Sequence, residues 1–154
     1  MLDTNAKLEI MELFSKYLMY VDEKKFDAAS FAKIFTENAE VIIPSKAKLE
    51  RVCKGIKEIR DNHAVLFMEV KFSHHFSGDF IFTCNSETSA EVRCNLAGFY
   101  RSFNSDNEAT ISTGIVNFSA INTSDGWRIQ GMQRKDKFAY NLDINTQNQE
   151  VFIL

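Results

Sequence analysis

Val70-Lys71-Phe72-Ser73-His74-His75-Phe76 is the stretch where the chain changes its period. An alternating pattern starts here, the mark of a strand with two unlike faces. Upstream the apolar residues follow a helical repeat. Ile10, Leu13, Phe14, Tyr17, Leu18 and Val21 line up on one stripe of a helix, behind the capping candidates Asp3, Thr4 and Asn5. A second helix is predicted over residues 27–35, with Phe31, Ile34 and Phe35 on one face. Residues 40–44 read as a short strand ended by the single proline, Pro44. Gly55 opens a third helix whose apolar side carries Ile56, Ile59, His63, Leu66 and Phe67.

Downstream of the quoted stretch the pattern stays extended. Phe80-Ile81-Phe82 is a short apolar run, and Ala90, Val92, Cys94 and Leu96 alternate with Glu91, Arg93, Asn95 and Ala97. Residues 104–107 are turn chemistry, and residues 111–121 are rich in Ile, Thr, Val and Phe. Thr123-Ser124-Asp125-Gly126 is a hairpin signal, and the strand beginning at Trp127 is predicted to run to about Arg134. Helices first and strands after predict an α+β domain, with helices on one side of an antiparallel sheet. With no repeat or linker, residues 1–154 read as one domain, its body at about 5–138 and a tail at 139–154. The tail ends in Val151-Phe152-Ile153-Leu154, which is expected to dock on the body or on a neighbouring copy.

The composition is that of an ordinary globular chain: 154 residues, 45% hydrophobic and 25% charged. Lys plus Arg is 18 and Asp plus Glu is 21, giving a net charge of 18 − 21 = −3. That balance argues against nucleic acid or an anionic membrane as partner. No apolar run approaches the roughly 20 residues of a membrane span. Residues 1–5 lack the basic flank and apolar core of a signal peptide, so the expected location is cytoplasmic. Cys53, Cys84 and Cys94 are widely spaced and read as small buried hydrophobes rather than a disulfide framework or a zinc site. The chain holds 14 Phe, which either fill a dense core or line an apolar cavity.

The chain has no nucleophile elbow, phosphate-binding glycine loop, dinucleotide fingerprint or H-E-x-x-H motif, so no cofactor and no metal are expected. Acid–base chemistry by Asp, His and Tyr remains. Asp22 stands one residue past the stripe of the first helix and five after Tyr17. It is either a solvated helix end beside Glu23, Lys24 and Lys25, or a desolvated carboxylate fit for base chemistry. His74 and His75 are adjacent, so on a strand one of them faces inward and the other out. His63 shares the apolar side of its helix and reads as structural or pocket-lining.

The segments at residues 16–22 and 26–27, 35–41, 55–59, 73–76 and 125–129, taken in order, resemble the SnoaL-like group of the nuclear-transport-factor-2-like superfamily. That group includes scytalone dehydratase, bile-acid 7α-dehydratase, ketosteroid isomerase and polyketide cyclases. The resemblance covers about residues 5–138. It implies a cone-shaped curved sheet packed against three N-terminal helices, with an apolar pocket at the open end. It also implies that Asp22 works with His74, which fits the family spacing to Gly78 and Ile81 better than His75 does. Tyr17 matches a pocket tyrosine of the bile-acid enzyme. Two departures stand out. Residues 95–100 hold no second histidine, and Arg134 falls two residues before the family's late arginine, where Asp136 stands. Tyr100 or Arg134 would then supply the second acid, or the site would lack one.

The function these features imply is a cofactor-free dehydratase or isomerase acting on a small hydrophobic cyclic compound. Asp22, His74 and Tyr17 are the catalytic candidates. Phe14, Phe72, Phe76, Phe99, Tyr100 and Arg134 are the candidates for substrate binding. The alternatives are a non-catalytic small-molecule-binding module and an assembly subunit of a larger complex. The family also implies a homodimer.

Overall fold

The computed structural model describes residues 2–44, 50–104 and 108–143. Helix α1 (Thr4–Asp22) starts where Asp3 accepts a hydrogen bond from the Ala6 amide at 2.8 Å. Its buried face is the stripe read from the sequence, joined by Tyr20. Complete burial of a side chain such as Phe14 contributes roughly 1.5–3 kcal/mol. Helix α2 (Ala28–Ala32) is short and capped by Asp27. The sequence predicts this helix through Phe35, but the segment leaves it early. The Ile34 carbonyl accepts from the Ile129 amide at 2.8 Å, so the sheet takes the residues the helix would have used.

Strand β1 (Phe35–Pro44) follows, then β2 (Glu50–Lys54) and helix α3 (Gly55–Leu66). The long strands are β3 (Val70–Asn85), β4 (Ser89–Ser102), β5 (Glu108–Thr123) and β6 (Gly126–Asp143). They form one curved six-stranded sheet in the order β2-β1-β6-β5-β4-β3. Every pairing is antiparallel except that of β1 with β6, which is parallel. Strand β6 runs well past its predicted end near Arg134. Its far half pairs with β5 as far as Glu108–Asp143 but lies exposed, so it lacks the alternation that marks a half-buried strand.

The helices cover one face of the sheet. On β4 the side chains of Ala90, Val92, Cys94 and Leu96 turn into that face, while Glu91, Arg93 and Asn95 turn away. Phe14 of α1 stacks on Phe118 of β5 with ring centroids 5.0 Å apart, and the rings of Phe31 and Phe35 pack at a tilt of 31° with centroids 5.7 Å apart. Cys53 and Cys94 are buried as the sequence suggests. Among the described residues no helix is long and apolar enough to cross a membrane. The expected docking of residues 151–154 lies outside the described residues, as does most of the turn at 104–107.

Candidate active site

Asp22 is the last residue of α1 and meets the inner face of β3. Three donors converge on its carboxylate. Ser73 Oγ donates to Oδ1 at 2.8 Å, the His75 amide to Oδ2 at 2.9 Å, and His75 Nδ1 to Oδ1 at 2.6 Å. Burial pushes the carboxyl of Asp22 up, but the hydrogen bonds and charge of His75 and the bond from Ser73 outweigh it. The group is held below the ordinary carboxylate range. The Asp22 side chain is 16% exposed and that of His75 only 2%. Asp22 is therefore a shielded anion rather than a solvated helix end.

With Nδ1–H committed to Asp22, a neutral His75 keeps a bare Nε2. The Tyr100 hydroxyl lies 2.9 Å from that nitrogen. Beyond it the chain of contacts continues to Arg134. Arg134 Nη1 and Ser112 Oγ each approach the Tyr100 oxygen at 3.4 Å. Nη2 donates to Ser112 Oγ at 3.0 Å and Nε donates to Asp136 at 2.6 Å. Burial works against the charge on Arg134, but Tyr100 and Asp136 outweigh it and raise its pKa.

Gly98 makes the Tyr100 position possible. It pairs with His75 across β3 and β4, and the Tyr100 ring folds back over it. A Cβ at Gly98 would lie 2.4 Å from the Tyr100 oxygen. Any other residue there would push the phenol off the histidine.

The second polar pair sits on the opposite wall. Tyr17, expected to work beside Asp22, instead bonds His63 of α3, Oη to Nε2 at 2.8 Å. His63 Nδ1 donates to the Ile59 carbonyl one turn earlier at 2.7 Å. Burial pushes the Tyr17 phenol up and lowers His63 to about 4.

Between these walls lies an inner chamber of about 50 Å³. Phe14, Tyr17, His63, Phe67, His75 and Arg134 are among its lining residues. A cleft of about 170 Å³ adjoins it through Ile43, Leu66, Phe67 and Arg134, with Tyr100 and Asp136 on its rim. Phe67, expected to be core, is half-buried and borders both spaces.

Several expectations need correction. His74 does not reach Asp22. It faces outward with its ring against Phe76, centroids 4.5 Å apart, and His75 holds the place assigned to it. Phe72, Phe76 and Phe99 are 56%, 52% and 39% exposed and line no part of the inner chamber. Phe72, His74 and Phe76 border instead an open groove at the end of α1, which Asp22, Ser73 and His75 also line. The cause is strand parity: Ser73 and His75 share the inner face, so the residues between and beside them point out. A signal for this was present in β4. Extending the buried series Ala90, Val92, Cys94, Leu96 by two steps brings in Gly98 and Tyr100 and turns Phe99 out. Phe14 and Arg134 line the inner chamber, and Tyr100 lines the adjoining cleft. Ser73, Ser112, Asp136 and the partnership of His63 with Tyr17 escaped the sequence reading, because short polar residues on strands carry no motif.

The chain belongs to the SnoaL-like domain family, whose model matches residues 3–133. No curated protein matches the sequence. Among solved structures, the Kfla4162 protein from Kribbella flavida is similar at 17% identity with a TM-score of 0.77, covering 88% of this chain and 93% of its own. A provisionally named scytalone dehydratase from Novosphingobium aromaticivorans is similar at 15% identity and a TM-score of 0.74, covering 90% and 91%. A hexachlorocyclohexane dehydrochlorinase from Novosphingobium barchaimii is similar at 14% identity and a TM-score of 0.76, covering 90% of each chain. At these identities the likeness establishes the fold alone.

Proposed function

We propose that the protein is a cofactor-free lyase or isomerase acting on a small hydrophobic cyclic carbonyl compound. The observation that carries this reading is the Asp22–His75 pair, with His75 and Arg134 both lining one apolar chamber. His75 takes a proton from the carbon next to the carbonyl. The C–H electrons move onto the carbonyl oxygen, where the Arg134 guanidinium balances the new negative charge. In an elimination these electrons return and expel a hydroxyl one carbon further on. Tyr100 protonates that group, water departs, and the proton on His75 restores the phenol. In an isomerisation His75 returns the proton to a different carbon. Each acid or base contributes about 10²–10⁴-fold, and the apolar lining excludes bulk water. Two of the similar structures bear names that describe eliminations, a dehydratase and a dehydrochlorinase, which supports this choice of reaction class.

The test is a screen of cyclic hydroxy ketones for the ultraviolet absorbance of the conjugated product. Turnover should fall by about 10²–10⁴-fold in Asp22→Asn and His75→Ala and persist in His74→Ala. If His75→Ala kept full activity on a substrate turned over by the wild type, the mechanism would be wrong.

One observation favours a second reading, a binding module without chemistry. The Tyr100 hydroxyl already occupies His75 Nε2. A ligand that binds the cavity and emerges unchanged, while Tyr100 stays on the histidine, would support it.

The partner we propose is a second copy of the chain. Phe72, Phe76, Phe99, Phe138 and Tyr140 are exposed on the outer face of the sheet, Phe72 and Phe76 on its edge strand beside the end of α1. The strand registers place Phe99 beside Ile111, and Ile111 beside Tyr140, so the apolar strip crosses several strands. A strip of that kind marks an interface.

A further inference from the structure

The Tyr17–His63 pair lies outside the proton transfer just described, yet it has a direction. The Ile59 carbonyl can only accept, so His63 Nδ1, 2.7 Å away, carries the hydrogen. A neutral imidazole has one N–H, which leaves His63 Nε2 bare. Its partner at 2.8 Å is the Tyr17 hydroxyl. That hydroxyl has one hydrogen, and the bond to His63 uses it. What Tyr17 retains is lone pairs. Arg134, which lines the same chamber, is the reverse: its guanidinium only donates.

We infer that His63 fixes the polarity of the cavity by drawing the Tyr17 hydrogen onto its own Nε2, so that the ligand must carry a hydrogen-bond donor at the Tyr17 end and an acceptor oxygen at the Arg134 end. The ligand class is then a ring compound with a hydroxyl opposite a carbonyl or carboxylate. This sharpens the substrate class of the site proposed above and rests on that reading for the identity of the cavity. His63 acts here as a positioning residue. It sets which way a wall group points without touching the reacting atoms.

A ligand that offers an acceptor to Tyr17 would meet a lone pair with a lone pair. The mismatch also leaves the ligand's own group unpaired in an apolar chamber, the arrangement that costs more than a missing bond. A purely structural His63 would stabilise α3 against α1 and leave ligand preference untouched.

Two measurements test this. The first needs no ligand: nitrogen-15 NMR of the ring nitrogens of His63 in the full chain at neutral pH. The expected spectrum has a protonated Nδ1 and a bare Nε2, and it persists whether or not any substrate is ever turned over. A protonated Nε2 overturns the inference, even if Asp22→Asn and His75→Ala lower turnover as the catalytic reading requires. The second compares two probes by calorimetry, para-hydroxyacetophenone and para-fluoroacetophenone, which share the ketone and differ in the donor. Wild type should prefer the hydroxy probe by about tenfold, the worth of one well-made hydrogen bond. Tyr17→Phe should erase the preference. His63→Phe should reduce or reverse it by freeing the Tyr17 hydrogen, and Tyr17→Phe with its intact His63 serves as the folded control. Equal binding of both probes by wild type overturns the inference. So does failure of the hydroxy probe to bind, or a preference that survives in Tyr17→Phe.

Discussion

The Tyr100 hydroxyl rests 2.9 Å from Nε2 of His75, the nitrogen opposite the one that Asp22 holds. A carboxylate, an imidazole and a phenol thus stand in line, and a missing side chain at Gly98 keeps the third in place. Gly98→Ala should therefore behave as a Tyr100 variant. It should lower turnover by about as much as Tyr100→Phe, within the 10²–10⁴-fold range of a lost general acid. The double variant should be no worse than either single one, since both remove the same contact. Steady-state rates of the three variants check this.

Asp22→Asn replaces the anion that orients His75 while keeping its shape. The expected loss is about 10²–10⁴-fold in kcat. The fold should survive, because the amide oxygen can still accept from the His75 amide while the side-chain nitrogen donates to Ser73 Oγ, which changes its role from donor to acceptor. Far-ultraviolet circular dichroism should be unchanged. His74→Ala, on the outer face, should leave kcat within about twofold, and a large loss there would place the base on the wrong histidine.

Stability should fall in acid through His63. In the folded chain this histidine is held at about 4, against 6.5 when unperturbed, and Tyr17 and His75 are the titratable groups that face it. The unfolded chain therefore binds more protons between those two values, and folding weakens as pH drops from about 6.5 toward 4. The loss is on the order of 3 kcal/mol, at about 1.4 kcal/mol per pH unit. Asp22, with its depressed pKa, adds a loss of the same sign at lower pH. Urea midpoints measured from pH 8 to pH 4 should show the decline. A His63→Phe chain should show a flatter curve across the upper part of that range.

Phe76→Glu should convert a dimer to a monomer. It puts a charge in the exposed aromatic strip, 5.9 Å from Phe99 in ring-centroid distance, on the strand face opposite His75. Sedimentation at micromolar concentration reads the result. An unchanged mass, whether monomer or dimer, would remove the strip as the interface.

The helical stripe of α1 and the order of helices before strands were legible because both rest on periodicity, which one sequence displays fully. Parity inside the strands was harder. Around His74 the outer face is the more apolar, with Phe72 and Phe76, while the inner face carries Ser73 and His75. The usual rule that apolar residues face inward is inverted at the site, and a rule built on burial selects the wrong histidine. Arg134 was hidden differently. Trp127 and Ile129 face the core, so simple alternation would turn Arg134 outward. The register slips by one residue between Ile129 and Gly131, and that bulge brings Met132 and Arg134 inside. A second slip follows between Arg134 and Phe138, at Gly114 and Thr113 of the facing strand. Bulges leave no mark in the amino-acid pattern, which is why alternation alone does not place Arg134 on the inner face.

The parallel pairing of β1 with β6 has a consequence for how the molecule comes into being. Residues 35–42 find their partners at residues 129–133, almost a hundred positions later. A chain emerging from the ribosome can form α1 and the hairpins of β3, β4 and β5 early, but β1 has no neighbour on that side until β6 is out. Loops this long close slowly. During synthesis, therefore, the edge of β1 waits for its partner, and Asp22 and His75 are both made before Arg134. The site is completed by the last strand to arrive.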